Sequence, residues 1–205
     1  MLTQADATGD RALLDACKDY IKEKYRKPGA VFLGLVHRID RPVSGLVVFA
    51  RTSKAAARLC DQFRSRSVRK IYRAVVVGSP PAPEGGLYHF LGGERRRKVA
   101  IAYAAQCKAR PAEIRYRLLR QWENRAELEI QLITGLKHQI RAQLASIGCP
   151  IAGDFKYSNR RRPVQPIAGG RAIALHAWKL TLQHPTRQEI MEFVAPLPSY
   201  WPAGG

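Results

Sequence analysis

Acidic residues are scarce in this chain: 16 Asp and Glu stand against 35 Lys and Arg, a net charge of +19. That imbalance says nothing about fold. It disfavours a cationic partner and favours a polyanionic one, nucleic acid ahead of an anionic membrane. Cysteines are few and far apart. Cys17, Cys60, Cys107 and Cys149 form no CxxC pair and no Cys/His cluster, which speaks against a zinc site and a disulfide framework and fits a reducing cytoplasm. No apolar run approaches the ~20 residues that span a bilayer. The N-terminus lacks the basic start and apolar core of a secretory signal, and Asp6 and Asp10 do not suit an Arg-rich presequence. Neither a Walker loop nor a GxGxxG between strand and helix is present, so no nucleotide cofactor, and no cofactor of any kind, is expected.

What the chain does have is 205 residues, 46% of them apolar, enough to build a hydrophobic core. Its arginines occur in runs, Arg95-Arg96-Arg97-Lys98 and Arg160-Arg161-Arg162. The guanidinium fork suits phosphate better than an ammonium does. Periodicity then places the elements. Asp10 caps a predicted helix carrying Leu13, Leu14, Cys17, Ile21 and Tyr25, stopped by Lys27-Pro28-Gly29. Val31–Val36 and Leu46–Ala50 read as buried strands around a polar loop, and Ser53 reads as the cap of a helix through Leu59, Cys60 and Phe63. Lys70–Val77 is strand-like. Ser79 to Gly86, rich in Pro and Gly, reads as a loop and a possible boundary between halves. A strand over Val99–Cys107 is expected next. Ile114, Tyr116 and Leu118, then Ala126, Leu128, Ile130 and Leu132, alternate with polar residues and predict an antiparallel hairpin across Gln121–Arg125. A helix follows with Ile140, Leu144 and Ile147 inward and Gly148-Cys149-Pro150 at its end; Asn159 to Gly170 reads as a basic, mobile stretch. Ile173–Leu182 and Gln188–Val194 are the last expected strands. The irregular mix of elements predicts an α+β fold with a mixed, mostly antiparallel sheet flanked by helices.

Three segments carry chemistry. His37-Arg38-Ile39-Asp40-Arg41-Pro42-Val43-Ser44-Gly45 sets an acid among cations; positive neighbours favour an ionised carboxylate, which suits a nucleophile. An ion pair of Asp40 with Arg38 or Arg41 in a surface loop is the competing reading. Thr134-Gly135-Leu136-Lys137-His138-Gln139-Ile140-Arg141 puts Arg141 beside a core-facing Ile140, so its head can reach inward to a buried carboxylate. Lys70-Ile71-Tyr72-Arg73-Ala74 sets an aromatic in a basic strand, either a core residue or a platform for a base.

These segments resemble the RluA-type pseudouridine synthases. His37 to Gly45 is similar to that family's HRLDRxTSG signature, and Lys70 to Gly78 to its KxYxAxVxG strand. Thr134 to Tyr157 resembles its TGRxHQIRxHLxxxGxPIxGDxxYG block, while Leu175-His176-Ala177, His184-Pro185 and Phe193 to Pro198 match its closing strands. The resemblance implies isomerisation of uridine in ribosomal or transfer RNA by a cytoplasmic, monomeric enzyme with one catalytic domain over residues 1–205. It further implies that Asp40 is the catalytic aspartate, Arg141 its salt-bridge partner, Tyr72 the ring stacked on the target uracil, and Arg38 the residue that fills the space of the flipped nucleotide. His37, Arg41, Lys70, Lys137, His138 and Gln139, together with Arg95, Arg96 and Arg97, complete the expected RNA contacts; His37, His138, His176 and His184 also read as structural hydrogen-bonding residues. Leu136 and Ser158 depart from the family's Arg and Gly. Members also carry an NKPxG-like first strand before the region matching Leu2-Thr3-Gln4, so either the true start lies upstream of Met1 or that sheet edge is missing here; no S4-like domain is expected. A non-catalytic RNA-binding or ribosome-assembly protein on the same scaffold is the alternative. A nucleoside hydrolase would ordinarily want a second acid or a metal to activate water.

Overall fold

A computed structural model describes residues 3, 11–95, 98–102, 109–158, 164–187 and 189–202. Among the described residues three α-helices, α1 (Leu13–Lys24), α2 (Ser53–Ser65) and α3 (Gln139–Ser146), accompany ten strands. The strands are β1 (Gly34–Leu35), β2 (Ser44–Gly45), β3 (Phe49–Ala50), β4 (Arg69–Val77), β5 (Glu84–Arg95), β6 (Lys98–Ala102), β7 (Arg110–Gln121), β8 (Arg125–Leu132), β9 (Leu175–Gln183) and β10 (Ile190–Val194). β1 and β3 form a small ribbon. The main sheet runs β10-β9-β4-β8-β7-β5-β6 in antiparallel pairs, and β2 alone joins it in parallel, beside β9. The fold is α+β with a mixed, mostly antiparallel sheet, as the sequence pattern predicts.

Alternation in β8 decides which face of the sheet is core. Ala126, Leu128 and Ile130 are fully buried and face Val76, Ala74 and Tyr72 of β4 across the ladder. Ile140 and Leu144 of α3 join the same apolar cluster. On the other face Glu127 pairs with Arg73 (2.9 Å) and Glu129 with Arg117 (3.2 Å). Opposite charges on neighbouring strands keep that face polar and the register fixed.

Several sequence expectations change. The runs 31–36 and 46–50 shrink to the two-residue strands β1 and β3, because the chain between them is pinned by a side chain: the His37 Nε2 accepts the Val48 N–H at 3.0 Å, a bond the ladder would otherwise supply. Thr52, not Ser53, caps α2, its hydroxyl accepting from the Ala55 N–H at 3.1 Å. α1 starts after Ala12, which gives no side-chain cap; Asp10 lies outside the described residues, as do Asn159 and Arg160 to Pro163. The Pro- and Gly-rich stretch ending at Gly86 is not all loop, since β5 begins at Glu84 and continues the same sheet. At Gly85 the packing is close: a Cβ there would sit 3.1 Å from the Tyr116 hydroxyl opposite it, so the ring would have to give by a few tenths of an ångström. β6 covers the first part of the strand expected over 99–107, whose remainder is outside the described residues.

Candidate active site

Asp40 sits at the apex of the 37–45 loop, and the loop is held at many points. Its own carbonyl accepts the Val43 N–H (3.0 Å), Pro42 O accepts the Ile173 N–H (3.1 Å), and the Thr3 hydroxyl lies against both the N–H (3.4 Å) and the carbonyl (3.3 Å) of Ile39. At its end, Ser44 and Gly45 pair with His176 and Ala177 of β9. Gly45 has φ +112°, and a Cβ on it would lie 2.3 Å from Ala177 O; only glycine admits this close parallel approach. The Ser44 hydroxyl meets His176 Nδ1 at 2.8 Å while Nε2 faces the Ala195 carbonyl at 3.5 Å. That carbonyl places the proton on Nε2, so Nδ1 accepts from Ser44. Burial lowers the His176 pKa and keeps the ring neutral for this role.

From the other side α3 presents Arg141, only 5% exposed. Its Nε and Nη2 donate to the two oxygens of Asp154 at 2.7 and 2.9 Å, and its Nη1 donates to Asp40 Oδ2 at 3.1 Å. One guanidinium therefore bridges two carboxylates, a forked pair to Asp154 and a single bond to Asp40. Burial alone would lower the Arg141 pKa, but the bonds to Asp154 and Asp40 outweigh it and the net direction is up. Tyr157 lies under the guanidinium, 5.1 Å from ring centre to Cζ, and its hydroxyl meets His138 Nδ1 at 2.9 Å. His138 takes a left-handed backbone (φ 51°) just before α3 and points Nε2 at Asp40 Oδ2, 3.7 Å away. Burial lowers its pKa, with Asp40 opposing and Arg141 and nearby lysines assisting, so it is neutral at pH 7.

Both neighbours of Asp40 face Oδ2. Among the described residues Oδ1 has no hydrogen-bond partner, and the side chain stays 25% exposed. Tyr72, on the core face of β4, is near enough to Asp40 to feel its charge. Burial first and the negative charge of Asp40 second push its phenol pKa up, so it stays a neutral ring.

The structure thus brings Asp40, Arg141, Tyr72 and His138 together. Arg38 and Arg41 flank Asp40 on the exposed side of the loop, Lys137 is exposed before α3, and Lys70 is half-buried with its Nζ 3.6 Å from the Cβ position of Gly135. Arg95 ends β5, while Arg96 and Arg97 lie outside the described residues. Two of the residues expected at the RNA make their bonds within the protein. Gln139 is 3% exposed and fully engaged: its Oε1 accepts from the Thr134 hydroxyl (2.8 Å) and Leu136 N–H (3.0 Å), and its Nε2 donates to Glu113 O (3.1 Å). It braces the turn before α3 and presents nothing to a ligand. His37 is likewise a brace, stacked on Phe63 at 4.6 Å with Nε2 taken by Val48; burial and Lys70 lower its pKa to about 4. Sequence reasoning assigned no role to Asp154 or Tyr157. The signal for Asp154 was its type and place, an acid beside a turn glycine in a chain with few acids.

A family model described as RNA pseudouridylate synthase matches residues 3–146. The chain belongs to this family. It is 42% identical over 166 residues to an uncharacterized RNA pseudouridine synthase of Chloroflexus aurantiacus, covering 81% of this chain and 50% of that protein. It is 33% identical over 204 residues to ribosomal large subunit pseudouridine synthase D of Pseudomonas aeruginosa, covering 92% and 60%. The chain therefore spans between half and three-fifths of the length of these relatives. Among solved structures, human RNA pseudouridylate synthase domain containing 4 superposes with a TM-score of 0.81 at 26% identity, over 98% of this chain and 83% of that one. Human domain containing 1 gives 0.69 at 23% identity, a likeness of fold.

Proposed function

We propose that this chain converts uridine to pseudouridine in RNA, with Asp40 as the reacting carboxylate. The observation that carries the reading is the bridging of Asp40 and Asp154 by buried Arg141, which aims one oxygen of Asp40 and leaves the other open. The reaction breaks the N1–C1′ glycosidic bond and forms C5–C1′. The proton on C5 passes to solvent and N1 gains one, so no electron and no water is consumed. A residue that acts at the ring or the sugar, and charges that hold it in place, suffice for that balance. Arg141 supplies fixed positive charge in a site closed on the protein side, where such preorganisation is worth most. The target base must leave its stack, at roughly a few kcal/mol. Arg38, exposed beside Asp40, fills the gap it leaves, and Tyr72 offers a neutral face for the uracil. Arg41, Lys70, Lys137 and the run Arg95, Arg96 and Arg97 hold the backbone.

Ribosomal RNA is the first substrate to test, given the name of the Pseudomonas aeruginosa relative, and transfer RNA the second. The same reading has the chain act as a cytoplasmic monomer without metal or cofactor, in keeping with its scattered cysteines and with an isomerisation that needs neither. Mapping pseudouridine chemically in cellular RNA with and without the gene, and again with Asp40→Asn, tests it. Sites that vanish on deletion and stay absent with Asp40→Asn support the enzyme. Sites that persist with Asp40→Asn refute it and leave an RNA-binding scaffold.

A further inference from the structure

α1 has a use that its packing does not explain. No residue within the helix is buried, yet its C-terminal end carries two aromatic rings turned to solvent, Tyr20 at 57% and Tyr25 at 49% exposure. Cations frame both. Lys24 donates to the Tyr20 hydroxyl (2.8 Å) and lies 5.2 Å from that ring centre, and Arg51, reaching over from the start of α2, sits 4.9 Å from the centre of Tyr25. Lys22, Arg26 and Lys27 are exposed around them, with Glu23 the single acid between residues 22 and 27. Arg26 N–H bonds Glu23 O and Lys27 N–H bonds Lys22 O, the two bonds of a Schellman cap, but the left-handed position is Arg26 (φ 47°) where glycine would be unstrained. An arginine kept in a glycine position adds a cation at this spot at some expense in backbone strain.

The patch also stands in a defined relation to Asp40. α1 starts where the Leu14 N–H meets Thr3 O (3.3 Å), and Thr3 bonds Ile39, the neighbour of Asp40. Twelve helical residues then carry the chain about 18 Å away.

We propose that Tyr20 and Tyr25, with Lys22, Lys24, Arg26 and Arg51, form a second RNA contact that stacks unpaired bases of the strand whose target uridine sits at Asp40. Solvent-facing rings set among cations match an unstacked base on a phosphate chain; a folded protein partner would want an apolar surface depleted of lysine. The inference rests on the RNA reading above and adds a surface outside the catalytic cleft.

Its test uses the full chain and labelled oligouridine of two lengths, about 2 and about 16 nucleotides, the shorter too short to cover the ~18 Å length of α1. Anisotropy titrations compare the wild type with Tyr20→Ala/Tyr25→Ala and Tyr20→Phe/Tyr25→Phe. The alanine pair is expected to lose about tenfold or more in affinity for the long RNA, to lose most of its preference for long over short, and to melt like the wild type. The phenylalanine pair keeps both. An alanine pair with wild-type affinity for the long RNA overturns the proposal, whatever else the surface then binds, and so does equal weakening by alanine and phenylalanine. Pseudouridine formation is followed in parallel on cellular RNA. A wild type that isomerises nothing, while the alanine pair still loses affinity for long RNA, refutes the proposed activity and leaves this surface standing.

Discussion

Replacing Asp154 by alanine separates the two jobs of Arg141. The Arg141–Asp154 pair is 5% and 1% exposed, so the small values of surface ion pairs do not apply. Removing one partner of such a buried pair generally destabilises by about 3–5 kcal/mol, because the remaining charge is left without compensation. Here Nη1 still reaches Asp40 at 3.1 Å, which places the expectation near the lower end, about 3 kcal/mol, or a melting point lower by roughly 10 °C for a chain of this size. Activity falls further than stability explains. With its fork unmade, Arg141 swings toward Asp40, and a reacting group displaced by ~1 Å loses on the order of 10²-fold in rate. Calorimetry and a pseudouridine-formation assay, run below the melting point of every variant, read the two effects apart. The double variant Asp154→Ala/Arg141→Met removes both charges. It should recover most of the stability and none of the activity. A single variant that melts with the parent, or a double variant no more stable than Asp154→Ala, refutes the claim that Asp154 exists to anchor Arg141.

Gly45→Ala forces a Cβ to 2.3 Å from Ala177 O at φ +112°; a loss of about 2 kcal/mol or more in urea unfolding is expected, and a variant as stable as the parent excludes the parallel β2–β9 contact. His37 binds its proton only near pH 4 in the fold against 6.5 unfolded, so the unfolded state takes up the proton first. Its contribution is whole above pH 6.5 and is lost as pH falls toward 4; His37→Gln should flatten that part of the stability profile, and an unchanged slope denies the buried neutral ring. Converting Arg95, Arg96 and Arg97 to alanine should weaken RNA binding and reduce its salt slope by about one unit for each phosphate no longer neutralised, while saturating RNA still turns over. A slope equal to the parent's removes these residues from the interface.

The core of the fold was legible because periodicity reports burial. Ala126, Leu128 and Ile130 alternate with Glu127, Glu129 and Gln131, and the sheet buries the first set and pairs acids of the second with arginines. β5 was illegible at its start for the same reason in reverse. Gly85 packs closely against Tyr116, and a residue without a side chain gives no periodic signal. The 37–45 loop showed its acid among cations, but the nearest cations in sequence were misleading. Arg38 and Arg41 are exposed, and the arginine that bonds Asp40 comes from α3, 101 positions away.

That separation has a physical reason. An arginine adjacent in sequence shares the loop's motion and the loop's exposure, and an exposed pair of this kind is worth little and wanders. Arg141 sits on a helix packed into the core through Ile140 and Leu144, and its remaining nitrogens are spent on Asp154. The bond it gives Asp40 therefore comes from a fixed point. Asp154 and Asp40 are chemically the same group meeting the same guanidinium, and burial alone divides their labour. The one that is 1% exposed can only anchor; the one that is 25% exposed, with no partner on Oδ1 among the described residues, is the one proposed to react.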